Sequence, residues 1–343
     1  MARDELYGCA TRAGVVRPVR ISRSGSGSGP TPDQARGPNW IRTSHGYYVP
    51  ADTDRGSPEQ RIIEASVVLP EYGGVTGWAS LRWHGGGWFD GRRGRTLAPV
   101  ALAVAGDDVR EQAGIRVSQE RLNPRDLTEH DGVRVTTPVR PLCFEARYAE
   151  SVREAVVAID MAAFDDLVSI DELTAYALAH PGWTGIPQCR DAILLADENS
   201  WSPWETRMRL IWMLDAGLPR PLCNTPVFDR SGRHIGTPDL LDVEAGMVGE
   251  YDGALHLEGA QRARDVRREE RFRAHGLEYV TMLASDMSQR GHLVDRMLSA
   301  RRRAGWRGEG RRRWTVTPPA WWTSPRGVEG RRAKRLRQPS MTG

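Results

Sequence analysis

GTPDLLDVEAGMVGEYDGALHLEGAQRARDVRREERFRAHG, residues 236 to 276, is the stretch that decides the fold. Asp239 falls at the end of one predicted strand, and Glu250 and Asp252 alternate on the next. Carboxylates two residues apart on a strand point to the same face. Hard oxygen donors gathered on one face suit a magnesium ion. The arginines that follow on a predicted helix suit a phosphodiester. The pattern points to metal-assisted chemistry on nucleic acid, or to a fold that once carried it.

The flanking elements extend this unit in both directions. Ser202-Pro203-Trp204-Glu205 reads as a helix start, with serine at the cap, proline first, and glutamate three residues after the cap. Met208, Ile211 and Trp212 supply its apolar face, and Gly217 its stop. Three strands are expected at 226–230, 233–240 and 247–252, joined by turns at Ser231-Gly232 and Glu244-Ala245-Gly246. A helix over 257–275 stops at Gly276, then come a strand at 278–283 and a helix at 288–304. The expected order is helix, three-strand meander, helix, strand, helix.

At 343 residues the chain can hold two or three domains. No apolar run approaches the roughly 20 residues of a membrane span, and the first residues lack the apolar core of a secretory signal. The expectation is a cytoplasmic protein with no membrane partner. Cys9, Cys143, Cys189 and Cys223 show no C-x-x-C spacing, which argues against zinc. Lys334 is the only lysine. Residues 257–343 hold 21 Lys and Arg against 9 Asp and Glu, a balance of +12 that leaves −8 for residues 1–256 of a chain whose net charge is +4. A basic C-terminal third fits a polyanionic partner, and equally a solvated arginine-rich surface.

Further upstream, 22–30 (SRSGSGSGP) has the composition of a flexible linker, and 39–50 reads as a β-hairpin turning at Gly46. A helix is expected over 60–69 and strands at 100–104 and 133–135. Further helices are expected at 151–162, 169–179 and 187–199. The glycine-rich stretch 84–94 lacks the G-K-S/T of a phosphate loop. The division that results is a basic N-terminal segment (1–58), a mixed α/β middle domain (59–196), a third domain (197–323) and a basic tail expected to be disordered (324–343).

The third domain resembles the PD-(D/E)-x-K nuclease superfamily, and within it the group similar to very-short-patch mismatch-repair endonucleases. The matching residues are Ser202 and Glu205, then Asp239 with Leu240, then Glu250, Asp252, Gly253 and His256, and finally Arg262, Asp265 and Gly276. The whole chain is similar to actinobacterial proteins that join such a domain to a region resembling the abortive-infection AbiE antitoxin family. There, Gly46, Tyr47, Tyr48 and Val49 match the wing of a winged helix. The implied fold is α/β with a C-terminal restriction-endonuclease-like domain, and the implied activity is Mg²⁺- or Mn²⁺-dependent hydrolysis of DNA, in phage defence or repair. Asp239 and Glu250 would hold the metal, Glu205 would be an outer ligand, and Asp252 and His256 would complete the catalytic set. Arg262, Arg264, Arg267, Arg268 and Arg271 would grip DNA phosphates. The superfamily lysine, two residues after Glu250, is replaced by Asp252.

Other readings of these residues stand beside that one. Glu205 also fits a helix cap, Asp239 a turn cap after proline, Asp252-Gly253 a turn, His256 a helix start, and Asp265 with Arg268 a helix-surface pair. Trp314, Trp321 and Trp322 fit either a base-stacking platform or an aromatic strap that closes the domain. The alternative function is a non-catalytic DNA-binding antitoxin or transcriptional repressor that retains the nuclease-like fold, or a subunit that binds a toxin or defence-system partner.

Overall fold

The computed structural model describes residues 12, 14–22, 28–106, 108–253 and 260–337, with side chains left out over 260–265. The chain is mixed α/β, with several sheets and ten α-helices among the described residues. No described helix is long and apolar enough to cross a membrane. The chain divides into two units, Met1–Ala149 with Asp171–Cys189, and Glu150–Ile170 with Arg190–Gly343.

The first unit holds a five-stranded sheet in the order Ile115–Ser118, Val100–Ala103, Gly74–Thr76, Val133–Thr136, Leu127–His130. The expected strands at 100–104 and 133–135 belong to it. The helix expected over 60–69 forms as Pro58–Ser66, where the Ser57 side chain accepts the Gln60 N–H. The hairpin read at 39–50 forms from Trp40–Ser44 and Tyr47–Pro50, with Gly46 at φ +76° in its turn. Ahead of it, the described residues give a short strand at Val19–Arg20 and a 3-10 turn at Gln34–Arg36.

The second unit carries the stretch read first. Its main sheet has the order Leu222–Cys223, Leu240–Asp242, Met247–Asp252, Glu278–Leu283, antiparallel except for the last pair, which is parallel. Alternation along these strands assigns the faces. Leu240, Met247, Val280 and Met282 pack with Met208 and Trp212 below the Pro203–Leu210 helix and with Leu293 and Met297 of the Arg290–Arg303 helix. Leu241 and Val248 pack on the opposite side, with Phe272 of the Ala260–Ala274 helix. Gly249 lets the first layer close up, since a Cβ there would stand 3.3 Å from both Met208 and Trp212.

Two expectations need correction. The three-strand meander is not one sheet. Val227–Asp229 and His234–Gly236 pair in a separate sheet with Trp314–Thr315, while Leu240–Asp242 joins the main sheet. The run read as one strand over 233–240 breaks at Thr237-Pro238-Asp239, where proline offers no N–H to a ladder. The tail expected to be disordered over 324–343 forms a helix at Gly327–Arg337. Asp166 pairs with both Arg331 and Arg335, each at 2.6 Å, and Val328 is fully buried. Composition hides such an anchor because its partner lies far back in the chain.

A buried ion pair joins the Val152–Phe164 helix to the Pro203–Leu210 helix. Arg209 and Asp160 are both 0% exposed and 2.6 Å apart, and Asp160 also accepts from Thr206 Oγ1 and the Asp197 N–H. Truncating one partner strands the other's charge. Asp160→Ala is therefore expected to destabilise the fold by about 3–5 kcal/mol, read as a lower urea midpoint. Glu269→Ala, which breaks the exposed pair with Arg273, is expected to cost less than about 1 kcal/mol.

Candidate active site

Three carboxylates approach one another at one end of the main sheet. Glu205 stands in the first turn of its helix, where the Ser202 hydroxyl accepts the Glu205 N–H at 3.2 Å. Its own Oε2 reaches back to accept the Trp201 N–H at 2.8 Å and Asn224 Nδ2 at 2.7 Å. Helix capping and membership of the cluster are thus two roles of one side chain. Asp239 immediately precedes the Leu240–Asp242 strand, and its Oδ2 accepts the Tyr251 N–H at 2.7 Å. Glu250 lies on the neighbouring Met247–Asp252 strand and is 8% exposed.

The electrostatics follow from burial and mutual repulsion. The Asp239 carboxyl is pushed up to about 7, first by burial and then by the charge of Glu205, against the pull of the Tyr251 N–H and Arg268. Glu250 is pushed up to about 8 by burial and then by Asp239, with Arg268 opposing. Burial raises Glu205 as well. Glu205 and Asp239 keep some accessible surface, so the cluster is deep yet reachable from solvent. Near neutral pH the three cannot all ionise freely without a cation to share.

Among the described residues, Arg268 is the cation that pairs with this cluster. Its Nη2 stands 2.9 Å from Glu250 Oε1, out of line for a hydrogen bond, so that buried oxygen has a charge partner but no donor. The same guanidinium donates to the Thr237 carbonyl. Arg268 was expected on the DNA-gripping face and is instead turned inward. Arg267 and Arg271 are exposed, and no described carboxylate pairs with either. The backbones of Arg262 and Arg264 lie in the Ala260–Ala274 helix, and their side chains fall outside the described residues, as does all of His256. Asp252 is half-buried at the end of the same strand as Glu250, on the same face.

Asn224 was missed by sequence reasoning. It holds a left-handed backbone at φ +42°, donates its amide to Glu205 and to the Asn199 carbonyl, and donates its N–H to the Asp239 carbonyl at 3.0 Å. Asn is one of the few residues that tolerate this conformation, and the Asn-Thr-Pro turn was the available signal. The Trp204 ring stacks on Tyr251 at 5.4 Å and 9°, fixing the helix that bears Glu205 against the strand that bears Glu250.

Among the described residues no three His, Cys, Asp or Glu side chains are gathered as a ready-made metal-ligand group. Each carboxylate is engaged by its own neighbour: Glu205 by Asn224, Asp239 by the Tyr251 N–H, Glu250 by Arg268. Magnesium is commonly held by only one or two carboxylates with waters and substrate phosphate completing the shell. Asp239 and Glu250 fit that smaller requirement, with hard oxygen donors and one buried oxygen lacking a donor.

Both shifts carry a stability signature. Asp239 and Glu250 hold protons in the fold up to about pH 7 and 8, whereas free carboxyls lose them near pH 3.8 and 4.5. The folded state therefore binds more protons than the unfolded chain between those limits, and this contribution to stability is lost as pH rises through the folded values. The double variant Asp239→Asn/Glu250→Gln should gain stability relative to wild type when the urea midpoint is measured at pH 8 rather than pH 5. An unchanged difference would contradict the coupling. No known protein family, curated protein or solved structure matches the chain.

Proposed function

We propose that the second unit is a restriction-endonuclease-like domain that hydrolyses DNA phosphodiesters with Mg²⁺ or Mn²⁺, in the manner of the very-short-patch repair group it resembles. The observation that carries this reading is the convergence of Glu205 from a helix, Asp239 from the turn before one strand and Glu250 from the next, where the charge of Glu205 raises the proton affinity of Asp239 and both charges raise that of Glu250. Burying mutually repelling carboxyls is costly, and perturbed groups of this kind concentrate at functional sites.

On this reading Asp239 and Glu250 hold the metal. When bound, it supplies Lewis acidity at the phosphate and a more acidic water. Glu205, fixed by Asn224 and the Trp201 N–H, orients water at the edge of the cluster. Arg267 and Arg271 take backbone phosphates on the exposed side of their helix. Arg268 balances Glu250 in the resting state. Asp252 adds a further negative charge beside the metal site, and His256 serves as the proton donor to the leaving oxygen.

One observation favours the alternative, a DNA-binding antitoxin or repressor that does no chemistry. The Arg268–Glu250 pair and the tethers on Glu205 and Asp239 give each carboxylate a protein partner, as a scaffold would require.

Cleavage of plasmid and oligonucleotide DNA with Mg²⁺ or Mn²⁺ separates the two. Wild type should cleave, EDTA should stop it, and Asp239→Ala and Glu250→Ala should each abolish it. Glu205→Gln should slow it by about 10–100-fold, as changes to outer partners of a metal commonly do. Absence of cleavage with DNA binding intact in wild type and both alanine variants would remove the enzyme reading and leave the scaffold.

A further inference from the structure

An aromatic cluster lies within a few residues' contact of the carboxylates and has no part in the chemistry above. Trp322 packs on Phe228 at 5.1 Å and on His234 at 4.8 Å, and Trp321 meets Trp322 at 5.7 Å and 68°. Phe228 is fully buried and anchors the group in the small sheet. Trp321, by contrast, is 62% exposed. Its contacts with Phe228 and Trp322 are edge-on, and no described ring or guanidinium is stacked parallel to it. A strap that merely closed the domain would have only Trp322 to bury. The second tryptophan adds a large apolar ring that the fold leaves in water.

Named contacts tie this ring to the site. His234, beside Trp322, shares a hydrogen bond between its Nε2 and Thr237 Oγ1 at 3.0 Å. The Thr237 carbonyl accepts from Arg268, which pairs with Glu250. Thr237 is itself two residues before Asp239. The charges of Arg271 and Arg268 both reach His234, adding to burial in holding its proton affinity down. The exposed Arg271 therefore stands on the side of the site where the aromatic cluster lies. Aromatic rings beside cationic side chains bind nucleic-acid strands, the rings taking bases and the cations phosphates. Bases within a duplex are already stacked on their neighbours and offer a face to a protein ring only at the cost of unstacking. An exposed tryptophan near a helix that presents Arg267 and Arg271 to solvent thus suits a base that is already out of the duplex.

We propose that Trp321, backed by Trp322 and Phe228, is a stacking platform for an unpaired nucleobase of single-stranded DNA whose phosphates run past Arg271 and Arg267 toward the carboxylates. This deepens the nucleic-acid reading of the site by naming its substrate class, and it rests on that reading for the polarity of the strand path.

The test is equilibrium binding of fluorescently labelled oligodeoxynucleotides to the full chain, in EDTA so that no cleavage intervenes. Two probes are used: a short single strand, and a strand of the same length and charge made of abasic units. Wild type should bind the base-bearing strand on the order of tenfold more tightly. Trp321→Ala should lose that preference while Trp321→Phe keeps most of it. Equal affinity of wild type for the two strands, or an undiminished preference in Trp321→Ala, would overturn the platform. Failure of the endonuclease reading is separately visible. A protein that keeps the Trp321-dependent preference yet cleaves nothing supports the platform on a binding scaffold. One that cleaves with no such preference keeps the enzyme and loses the platform.

Discussion

The strand Met247–Asp252 sits between two parts of the unit, and its two-residue period governs what each can be. Met247, Gly249 and Tyr251 face the helix that begins at Pro203, and there the demand is close packing. Val248 and Glu250 face the Ala260–Ala274 helix, from which Phe272 and Arg268 answer them. A slip of one residue would place Glu250 under Trp212 and bury a carboxylate against an indole. The parallel pairing with Glu278–Leu283, continuous over six residues, holds the register. The position of every charged group in the site follows from it.

Within that frame the carboxylates are restrained rather than relieved. Tyr251 N–H, Asn224 and Arg268 each lower the cost of one carboxylate, yet Asp239 and Glu250 stay well above the ordinary carboxyl range. Burial and repulsion outweigh the donors. A purely structural network would normally be completed with enough donors to keep its members ionised. Here the residual demand for positive charge is met by protons near neutral pH, and the same demand is what a divalent cation satisfies. On the endonuclease reading, that tension is what a bound cation would relieve.

Glu250 and Glu205 were legible in the sequence because strand alternation and a helix cap act over a few residues, whereas Asp239, read at the end of a strand, lies in the break ahead of the next one. The same rules set Gly276 as the stop of its helix, where it takes φ +82°. Asn224 and the inward turn of Arg268 were not legible, since each depends on a partner that only the fold brings near. Composition alone misread the C-terminal tail, because Asp166 lies 165 residues before Arg331. The meander failed for a local reason that was present but underweighted. Pro238 breaks the run, and the chain passes from one sheet to the next at the residue that carries the first carboxylate. The break is what frees Asp239 from a ladder and lets its side chain accept the Tyr251 N–H.

The identity of residue 252 sets how such a site can work. A lysine there would bring a titratable cation to the cluster, able to hold charge and to exchange a proton. Asp252 brings neither, and the chain's only lysine, Lys334, lies in the helix anchored on Asp166. The positive charge comes instead from Arg268, across the sheet face. A guanidinium orients and neutralises but does not give up its proton in a protein. On the endonuclease reading, proton transfer near the phosphate therefore falls to His256 and to water rather than to residue 252 or Arg268. Asp239 and Glu250, raised to about 7 and 8 by burial and repulsion, would on that reading serve as ligands, ionised by the cation they hold.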